Sequence, residues 1–302
     1  MEIFNDETQK NEKYSSSNEN KSFFPRSELN DWLPLWEKVV FFLFGLFGLR
    51  IIATIVQLVV VVTPLVIIND GVMKLTDFGS AFVNFFIYLL VAGGFLAFVF
   101  FDKRKTYQRL FKEFTKVDTY IYAAIGFGLV FASQSILGNL FNLIPWYGTN
   151  ANQEAVNDIA LRQPVLMFIT TVFLAPFVEE LTYRIGVLDT LGHKYQLRWL
   201  GIVISALIFG LIHIDVLTPW SNLLGAISGG MEDVSIFRYQ LYTELISLII
   251  YVTSGLALGF TYAKSGKIAS SMTAHMMVNI LSMISIFLNA ALNANAEFRF
   301  LG

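Results

Sequence analysis

The amino-acid sequence predicts an all-α, polytopic membrane protein of about seven transmembrane helices. Of its 302 residues, 55% are hydrophobic and only 15% are charged, whereas about a quarter of a soluble globular chain is charged. Seven stretches are apolar over about the 20 residues that a spanning helix needs. The basic residues of the connecting loops also alternate from loop to loop, as they do in multi-span proteins.

The seven expected spans divide the chain into a tail, two groups of helices and a second tail. They are residues 39–68, 81–101, 120–144, 165–191, 199–214, 241–262 and 268–292. Residues 1–30 are rich in Asn, Ser, Lys and Glu, and we expect them to form a disordered polar tail. We expect three helices in 31–162, a four-helix core containing an active-site cavity in 163–293, and a short C-terminal tail in 294–302.

The loop charges predict the orientation. The loop DKRKTYQRLFKEFTKVD, residues 102–118, holds six basic residues, whereas 69–80 and 146–162 hold one each. The later turns on the same side as the basic loop carry the pairs Lys194 with Arg198 and Lys264 with Lys267. Since Lys and Arg concentrate in cytoplasmic loops, we expect a protein of the cell membrane with a cytoplasmic N-terminus and an external C-terminus.

Charge and cysteine content exclude several classes of function. A net charge of −2 gives no reason to expect a nucleic-acid partner. The chain has no cysteine, so disulfides, thiolate metal ligands and a cysteine nucleophile are all excluded. The expected partners are the lipid bilayer and a membrane-associated peptide or protein, and the sequence leaves the oligomeric state open.

Ionisable side chains lie inside the fourth span, where insertion of each costs roughly 2.5–3.5 kcal/mol. In FVEELTYR, Glu180 and Arg184 are four residues apart, which favours a structural ion pair on one helix face. Glu179 points about 100° away from Glu180 and has no local charge partner. Because an unpaired buried carboxylate is unfavourable, we interpret Glu179 as a functional residue.

Two histidines lie in the neighbouring spans. His213 ends FGLIH in the fifth span, with Phe209 one turn before it, and His275 shares a helix face with Asn279 in HMMVN of the seventh. Counting about 1.5 Å per residue along each helix places these groups in overlapping layers of the bilayer. The third histidine, His193, lies in a basic turn and is expected to be exposed.

Two kinds of hydrolytic chemistry suit this set. A carboxylate beside a neutral imidazole can orient and deprotonate water, while His and Asn donors can stabilise the oxyanion formed when that water attacks an amide. Alternatively, Glu179, His213 and His275 could hold a zinc ion with an open position for water. The usual zinc-protease motif HExxH is not present.

The order EExxxR, FxxxH and HxxxN on successive helices resembles the intramembrane CAAX-protease and bacteriocin-processing family, also called the Abi family. The segment GLALGFTYAKSGKIASSMTAH before the last motif is similar to that family as well, and the resemblance covers about residues 164–292. It implies an all-helical protease whose cavity is open to the cytoplasm and laterally to lipid.

The resemblance also implies roles for single residues. Glu179 would activate the water, His213 would position it, and His275 and Asn279 would form the oxyanion hole. Supporting structure would come from Glu180, Arg184 and Phe209. The family has been described as metal-dependent, but we favour a glutamate mechanism with no cofactor, and zinc is the alternative.

The predicted function is therefore intramembrane endopeptidase activity on a membrane-associated substrate, in CAAX-type processing or in bacteriocin maturation or self-immunity. The alternative is a non-catalytic bacteriocin immunity or regulatory protein that uses the same scaffold to bind a peptide. A proton-relay transporter would also bury Glu and His, but the inverted repeats typical of transporters are missing from the sequence.

Overall fold

The computed structural model describes residues 23–25, 33–69, 71–102, 105–194, 197–228 and 235–300. Its helices are α1 Leu35–Val60, α2 Asp77–Phe101, α3 Thr106–Glu113, α4 Val117–Phe141, α5 Ala151–Arg162, α6 Pro164–Gly192, α7 Arg198–Leu211, α8 Leu217–Ser228, α9 Ser235–Ser265 and α10 Ile268–Phe300. A hairpin of two strands, β1 Val66–Asn69 and β2 Val72–Leu75, follows α1.

The expected class, a multi-span helical membrane protein, is confirmed. Within the described ranges, six helices are long and apolar enough to cross a membrane: α1, α2, α4, α6, α9 and α10. The expected fifth span corresponds to α7, which has only 14 residues. At 1.5 Å per residue it is about 21 Å long, whereas the hydrocarbon core is about 30 Å thick. The fifth of the seven expected helices is therefore too short to cross the hydrocarbon core by itself.

The first span ends earlier than the sequence predicts. We expected helix through residue 68, but α1 ends at Val60 and residues 66–69 pair in an antiparallel hairpin. Pro64 follows closely and cannot donate a helical hydrogen bond. The β-branched residues after it favour a strand, and Gly71 supplies the positive φ of +77° at the turn.

The two ends of the chain are only partly described. Of the expected disordered tail, residues 1–22 and 26–30 lie outside the described residues. Phe24 is described and is buried against Trp199 and Phe260, with ring centroids 4.9 and 6.2 Å away. At the other end, the backbone of α10 stays helical to Phe300, so residues 294–300 of the expected C-terminal tail continue that helix.

The core is built around α6 and α9. Helix α9 packs against α7 on one side and α4 on the other, and α10 packs against α4 and α6. Every residue of the segment Leu181–Leu188 in α6 is buried, with α1 and α7 covering it. The C-terminal half of α6 is thus the most enclosed part of the bundle.

The basic connections meet at one end of the bundle. Lys267, in the turn between α9 and α10, forms an ion pair with Asp118 at the start of α4. The Glu113 carboxylate accepts a hydrogen bond of 3.0 Å from the backbone N–H of Ala269 in the first turn of α10. Gly266, with φ of +66°, makes the reversal between the two helices possible. We call this the basic end.

Helix α6 widens on both sides of the segment Ala175–Glu180. Thr170–Leu174 and Leu181–Leu188 are π-helical, a form that is uncommon and concentrates at functional sites. Pro176 explains the first widening, because its missing N–H breaks the regular pattern and a wider turn accommodates its ring. The widening shifts backbone carbonyls of α6 out of their regular intrahelical pairing.

Close packing of α4 yields a testable prediction about two glycines on the same helix. A Cβ atom on Gly126 would lie 2.4 Å from Thr261 Oγ1 and 3.1 Å from Ala274 Cβ, whereas one on Gly128 would meet nothing within 4 Å. We expect Gly126→Val to lower the free energy of unfolding by about 1–3 kcal/mol through overpacking. Gly128→Val is the matched control, and thermal unfolding of the two purified variants makes the comparison. Equal melting temperatures would contradict the packing described.

Candidate active site

A cavity of about 220 Å³ lies in the middle of the bundle and is lined by residues of α2, α4, α5, α6, α7, α9 and α10. All four side chains to which the sequence assigns chemistry face it: Glu179, His213, His275 and Asn279. They come from three separate regions of the chain, so the fold brings together residues up to 100 positions apart in sequence.

Glu179 is the central carboxylate of the cavity. Only 5% of the residue is exposed. Its Oε1 lies 4.0 Å from His213 Nε2, and its Oε2 lies 3.8 Å from His275 Nε2. Both distances exceed a direct hydrogen bond, and no residue of the described chain donates one to this carboxylate. The carboxylate therefore faces two imidazoles across a gap that one water molecule bridges well.

The other ring nitrogen of each histidine has an acceptor that fixes its tautomer. His213 Nδ1 lies 2.6 Å from the carbonyl oxygen of Phe209, and His275 Nδ1 lies 3.1 Å from Glu180 Oε1. A carbonyl or an ionised carboxylate only accepts, so Nδ1 carries the proton in both rings. Nε2 of each histidine is thereby turned toward Glu179.

The local backbone explains the position of His213. The sequence predicts that His213 lies inside the fifth helix. Helix α7 ends at Leu211, however, so His213 lies in the turn that follows it. The last carbonyls of a helix lack intrahelical donors, and the His213 ring supplies a donor to one of them, that of Phe209.

Glu180 and Arg184 form the predicted ion pair, and both are completely buried. Arg184 Nε lies 2.9 Å from Glu180 Oε2 and Nη2 lies 3.2 Å from Oε1, so the contact is bidentate. Arg184 Nη1 donates to Ser205 Oγ on α7 at 2.8 Å. Since Glu180 also accepts from His275, the pair joins α6 to both α7 and α10.

Phe209 lies at the centre of an aromatic cluster beside this pair. Its ring centroid is 4.5 Å from that of His213 and 5.8 Å from that of His275. The Arg184 guanidinium carbon lies 5.7 Å from the same centroid, within reach of a cation–π contact. Phe209 therefore packs against both imidazoles and against the guanidinium of the buried ion pair.

Asn279 is tied to the widened part of α6. Its Nδ2 donates to the carbonyl oxygen of Thr171 at 2.8 Å, and Thr171 belongs to the first π-helical segment. The amide side chain has two N–H groups, so one engages α6 and the other remains for a ligand in the cavity.

Sequence reasoning missed a second set of contacts that holds His213. The ring of Tyr251 stacks on the His213 ring with centroids 4.7 Å apart and an interplanar angle of 24°. Asn150 donates from Nδ2 to the His213 carbonyl at 3.1 Å and accepts from the Tyr251 hydroxyl at 3.4 Å. No spacing rule connects these residues, because they lie on separate elements.

Glu244 is a further buried carboxylate that the sequence could have revealed, since it falls inside the expected sixth span. Its two oxygens accept the backbone N–H groups of Ala151, at 2.8 Å, and Asp215, at 3.0 Å. Asp215 lies two residues before α8, and hydrogen bonds from Thr218 hold the pKa of its carboxyl below the usual value. Glu244 thus ties the loop after α7, which includes His213, to the start of α5.

The first helices also contribute to the cavity, although the sequence assigns them no motif. Asn84 and Tyr88 on α2 and Gln134 on α4 line it. Gln134 donates to Ser254 Oγ on α9 at 3.1 Å. The side chain of His193 lies outside the described residues.

Glu179, His213 and His275 are the candidate ligands of a zinc ion. Two unprotonated Nε2 atoms and a carboxylate are chemically suitable zinc ligands, and each Nδ1 has the outer partner that zinc-bound histidines usually have. As placed, however, the side chains in the described part of the chain form no group of three or more His, Asp or Glu arranged to hold a metal ion.

Spanning helices that enclose a polar cavity define the chain as a multi-span membrane protein with a buried candidate site. Residues 161–281 match the family model described as "Type II CAAX prenyl endopeptidase Rce1-like". The match confirms the resemblance drawn from the three motifs, all of which fall within it.

Two curated proteins are similar to the chain at low identity. "UPF0177 protein YvdC" of Lactococcus lactis subsp. lactis (strain IL1403) is 25% identical over 160 residues, 53% of this chain and 50% of that protein. "Putative membrane peptidase YdiL" of Bacillus subtilis (strain 168) is 24% identical over 165 residues, 54% of this chain and 55% of that protein. The chain spans about half the length of each. No solved structure matches.

The buried ion pair yields a prediction with an exposed pair as its control. Arg184→Ala leaves Glu180 buried without its cation, which costs about 3–5 kcal/mol for a fully buried pair. We expect a large loss of monodisperse protein and of thermal stability. Arg162 forms the same i,i+4 contact with Asp158, but those side chains are 51% and 53% exposed, so Arg162→Ala should leave both readouts unchanged. Equal losses in the two variants would contradict a structural role for the Glu180–Arg184 pair.

Proposed function

We propose that the protein is an intramembrane endopeptidase that hydrolyses a peptide bond of a membrane-associated peptide or protein. The single observation that carries this proposal is Glu179, a buried carboxylate without a direct hydrogen bond that faces Nε2 of two histidines at 4.0 and 3.8 Å. The family match supports it, because residues 161–281 include all four candidate residues. The similarity to "Putative membrane peptidase YdiL" supports it as well.

In the proposed reaction, Glu179 is the general base. A water molecule between its carboxylate and the two imidazoles transfers a proton to Glu179 while its oxygen bonds to the carbonyl carbon of the substrate. The resulting tetrahedral intermediate then loses its amine. The C–N bond breaks, the leaving nitrogen takes the proton from Glu179, and the products are a carboxylic acid and an amine.

The remaining groups stabilise the oxyanion or position the water and the histidines. The free N–H of Asn279 can donate to the oxyanion. Nε2 of His275 can donate as well, but only in the imidazolium form of the ring, in which both nitrogens carry a proton. His213 accepts from the water and positions it. Glu180 and Arg184 are positioning residues, since they act through His275 and through the packing of α6.

Biological roles consistent with this chemistry are CAAX-type processing and bacteriocin maturation or self-immunity. The proposed orientation has the N-terminus in the cytoplasm and the C-terminus outside, in the cell membrane. The competing proposals are a zinc-dependent reaction through Glu179, His213 and His275, and a non-catalytic immunity or regulatory protein that binds a peptide in the same cavity.

The decisive experiment compares Glu179→Gln with wild type on a panel of membrane-anchored reporter peptides. The amide keeps the size of the side chain but cannot take a proton, so we expect cleavage to fall by at least about 100-fold, the usual contribution of a general base. Glu154→Gln, on the exposed surface of α5, is the matched control and should cleave at the wild-type rate.

Each assay is run with and without a strong chelator. Cleavage that survives the chelator supports the glutamate mechanism, whereas activity lost to the chelator and restored by zinc supports the metal alternative. If Glu179→Gln cleaves as fast as wild type, Glu179 is not the base. If that variant also keeps its full biological effect in cells, the protein acts by binding.

A further inference from the structure

We infer that the exposed side of α1 binds a transmembrane helix of another membrane protein, one that carries a carboxylate near the middle of the bilayer. The binding surface consists of Arg50, Ala53, Thr54 and Gln57, and we call it the α1 seam. None of these residues lines the candidate active-site cavity. The inference therefore goes beyond the proposed function and does not depend on it.

Arg50 is a cation close to the middle of a spanning helix. Helix α1 has 26 residues, and at 1.5 Å per residue Arg50 lies about 4 Å past its midpoint. With α1 centred on a hydrocarbon core of about 30 Å, Arg50 is roughly 11 Å inside the nearer boundary. A fully extended arginine side chain is shorter than this, so the guanidinium stays within the hydrocarbon.

The guanidinium of Arg50 has no acid to neutralise it within the described chain. The side chain is exposed on the surface of the bundle, and it forms no ion pair or side-chain hydrogen bond with any described residue. Its backbone carbonyl accepts a hydrogen bond of 2.9 Å from Thr54 Oγ1, which leaves the charge itself uncompensated. Because a charged group at this depth is costly unless it is paired or lies in a water-filled cavity, Arg50 needs a partner outside this chain.

Gln57 makes the same side of α1 polar a second time. It follows Arg50 by seven residues in the regular helical segment Leu49–Val60, which is close to two turns, so the two side chains lie on one side of the helix. Gln57 is exposed, and its side-chain amide has no hydrogen-bond partner among the described residues. Ala53 and Thr54 lie between them and are small. Small residues and hydrogen-bonding side chains are the usual components of helix–helix interfaces in membranes.

Charge complementarity selects the occupant of the α1 seam. A second copy that docked symmetrically through the same surface would bring Arg50 against Arg50. Another face of a second copy offers no acid either, because every described acidic side chain of the spanning helices is buried or lies within the first three residues of its helix. A lipid phosphate would have to leave the interface to reach Arg50. A foreign helix with Asp or Glu at mid-depth can pair with Arg50 and also present a polar group to Gln57.

The cysteine-free chain allows binding to be measured by energy transfer. A donor fluorophore is attached to Met73→Cys in the exposed hairpin after α1, and the protein is reconstituted in phosphatidylcholine vesicles. The probes are two acceptor-labelled, leucine-rich transmembrane peptides that differ only in a central Asp or Leu. We expect the Asp peptide to bind about tenfold more tightly, as polar contacts between membrane helices allow, and Arg50→Leu to abolish the difference. Ile55→Leu, a conservative change of another exposed residue of α1, is the control and should keep it.

Equal binding of the two peptides by wild type, or an Asp preference that survives Arg50→Leu, would overturn the inference. Two further arms identify the other occupants. Energy transfer between donor- and acceptor-labelled copies that is lost in Arg50→Leu would assign the α1 seam to a second copy. Loss of the Asp preference when phosphatidylglycerol is added would assign it to a lipid phosphate. Either result would also overturn the inference.

Thermal unfolding shows whether Arg50 serves the fold of this chain instead. Since no described residue pairs with the guanidinium, Arg50→Leu should melt no lower than wild type. A loss as large as that expected for Arg184→Ala would place the partner of Arg50 within its own bundle and contradict the inference. None of these measurements requires proteolysis, so they succeed or fail separately from the reporter assay.

Discussion

The buried ion pair between Glu180 and Arg184 is the constraint on which the rest of the site depends. Neither side chain reaches solvent, and in a low-dielectric environment each charge must find its partners inside the protein. Arg184 donates hydrogen bonds to Glu180 and Ser205, and Glu180 accepts hydrogen bonds from Arg184 and His275. Three helices are thereby fixed relative to one another, and the Nε2 atom of His275 is aimed at Glu179.

Local spacing made part of this arrangement predictable. The i,i+4 relation of Glu180 and Arg184 and the apolar lengths of the spans are properties of single helices, so the sequence reveals them. The contacts of Glu180 with His275 and of Asn279 with Thr171 join distant segments, and no local rule specifies them. The early end of α1 shows the same limit, because a continuous apolar run hides the switch to strand that Pro64 and Gly71 impose.

The two halves of the bundle differ in construction. Toward the basic end, large apolar side chains and an ion pair between Lys267 and Asp118 pack the helices firmly. Away from it, amide and hydroxyl side chains line connected spaces, and Glu244 holds the surrounding loops by backbone hydrogen bonds. In the proposed function, the packed half aligns Glu179 with the two histidines and the polar half admits the ligand.

The short helix α7 has a consequence for the supply of water. Hydrolysis consumes one water molecule for each bond broken, yet hydrocarbon contains almost none. With 14 residues, α7 stops ~9 Å short of the usual hydrocarbon thickness. The turn after it bears Asp215 and is held by Asn150 and Glu244, so polar groups rather than an apolar helix continue the chain beside His213. In the proposed hydrolysis, water would reach His213 along this polar turn without any helix moving aside.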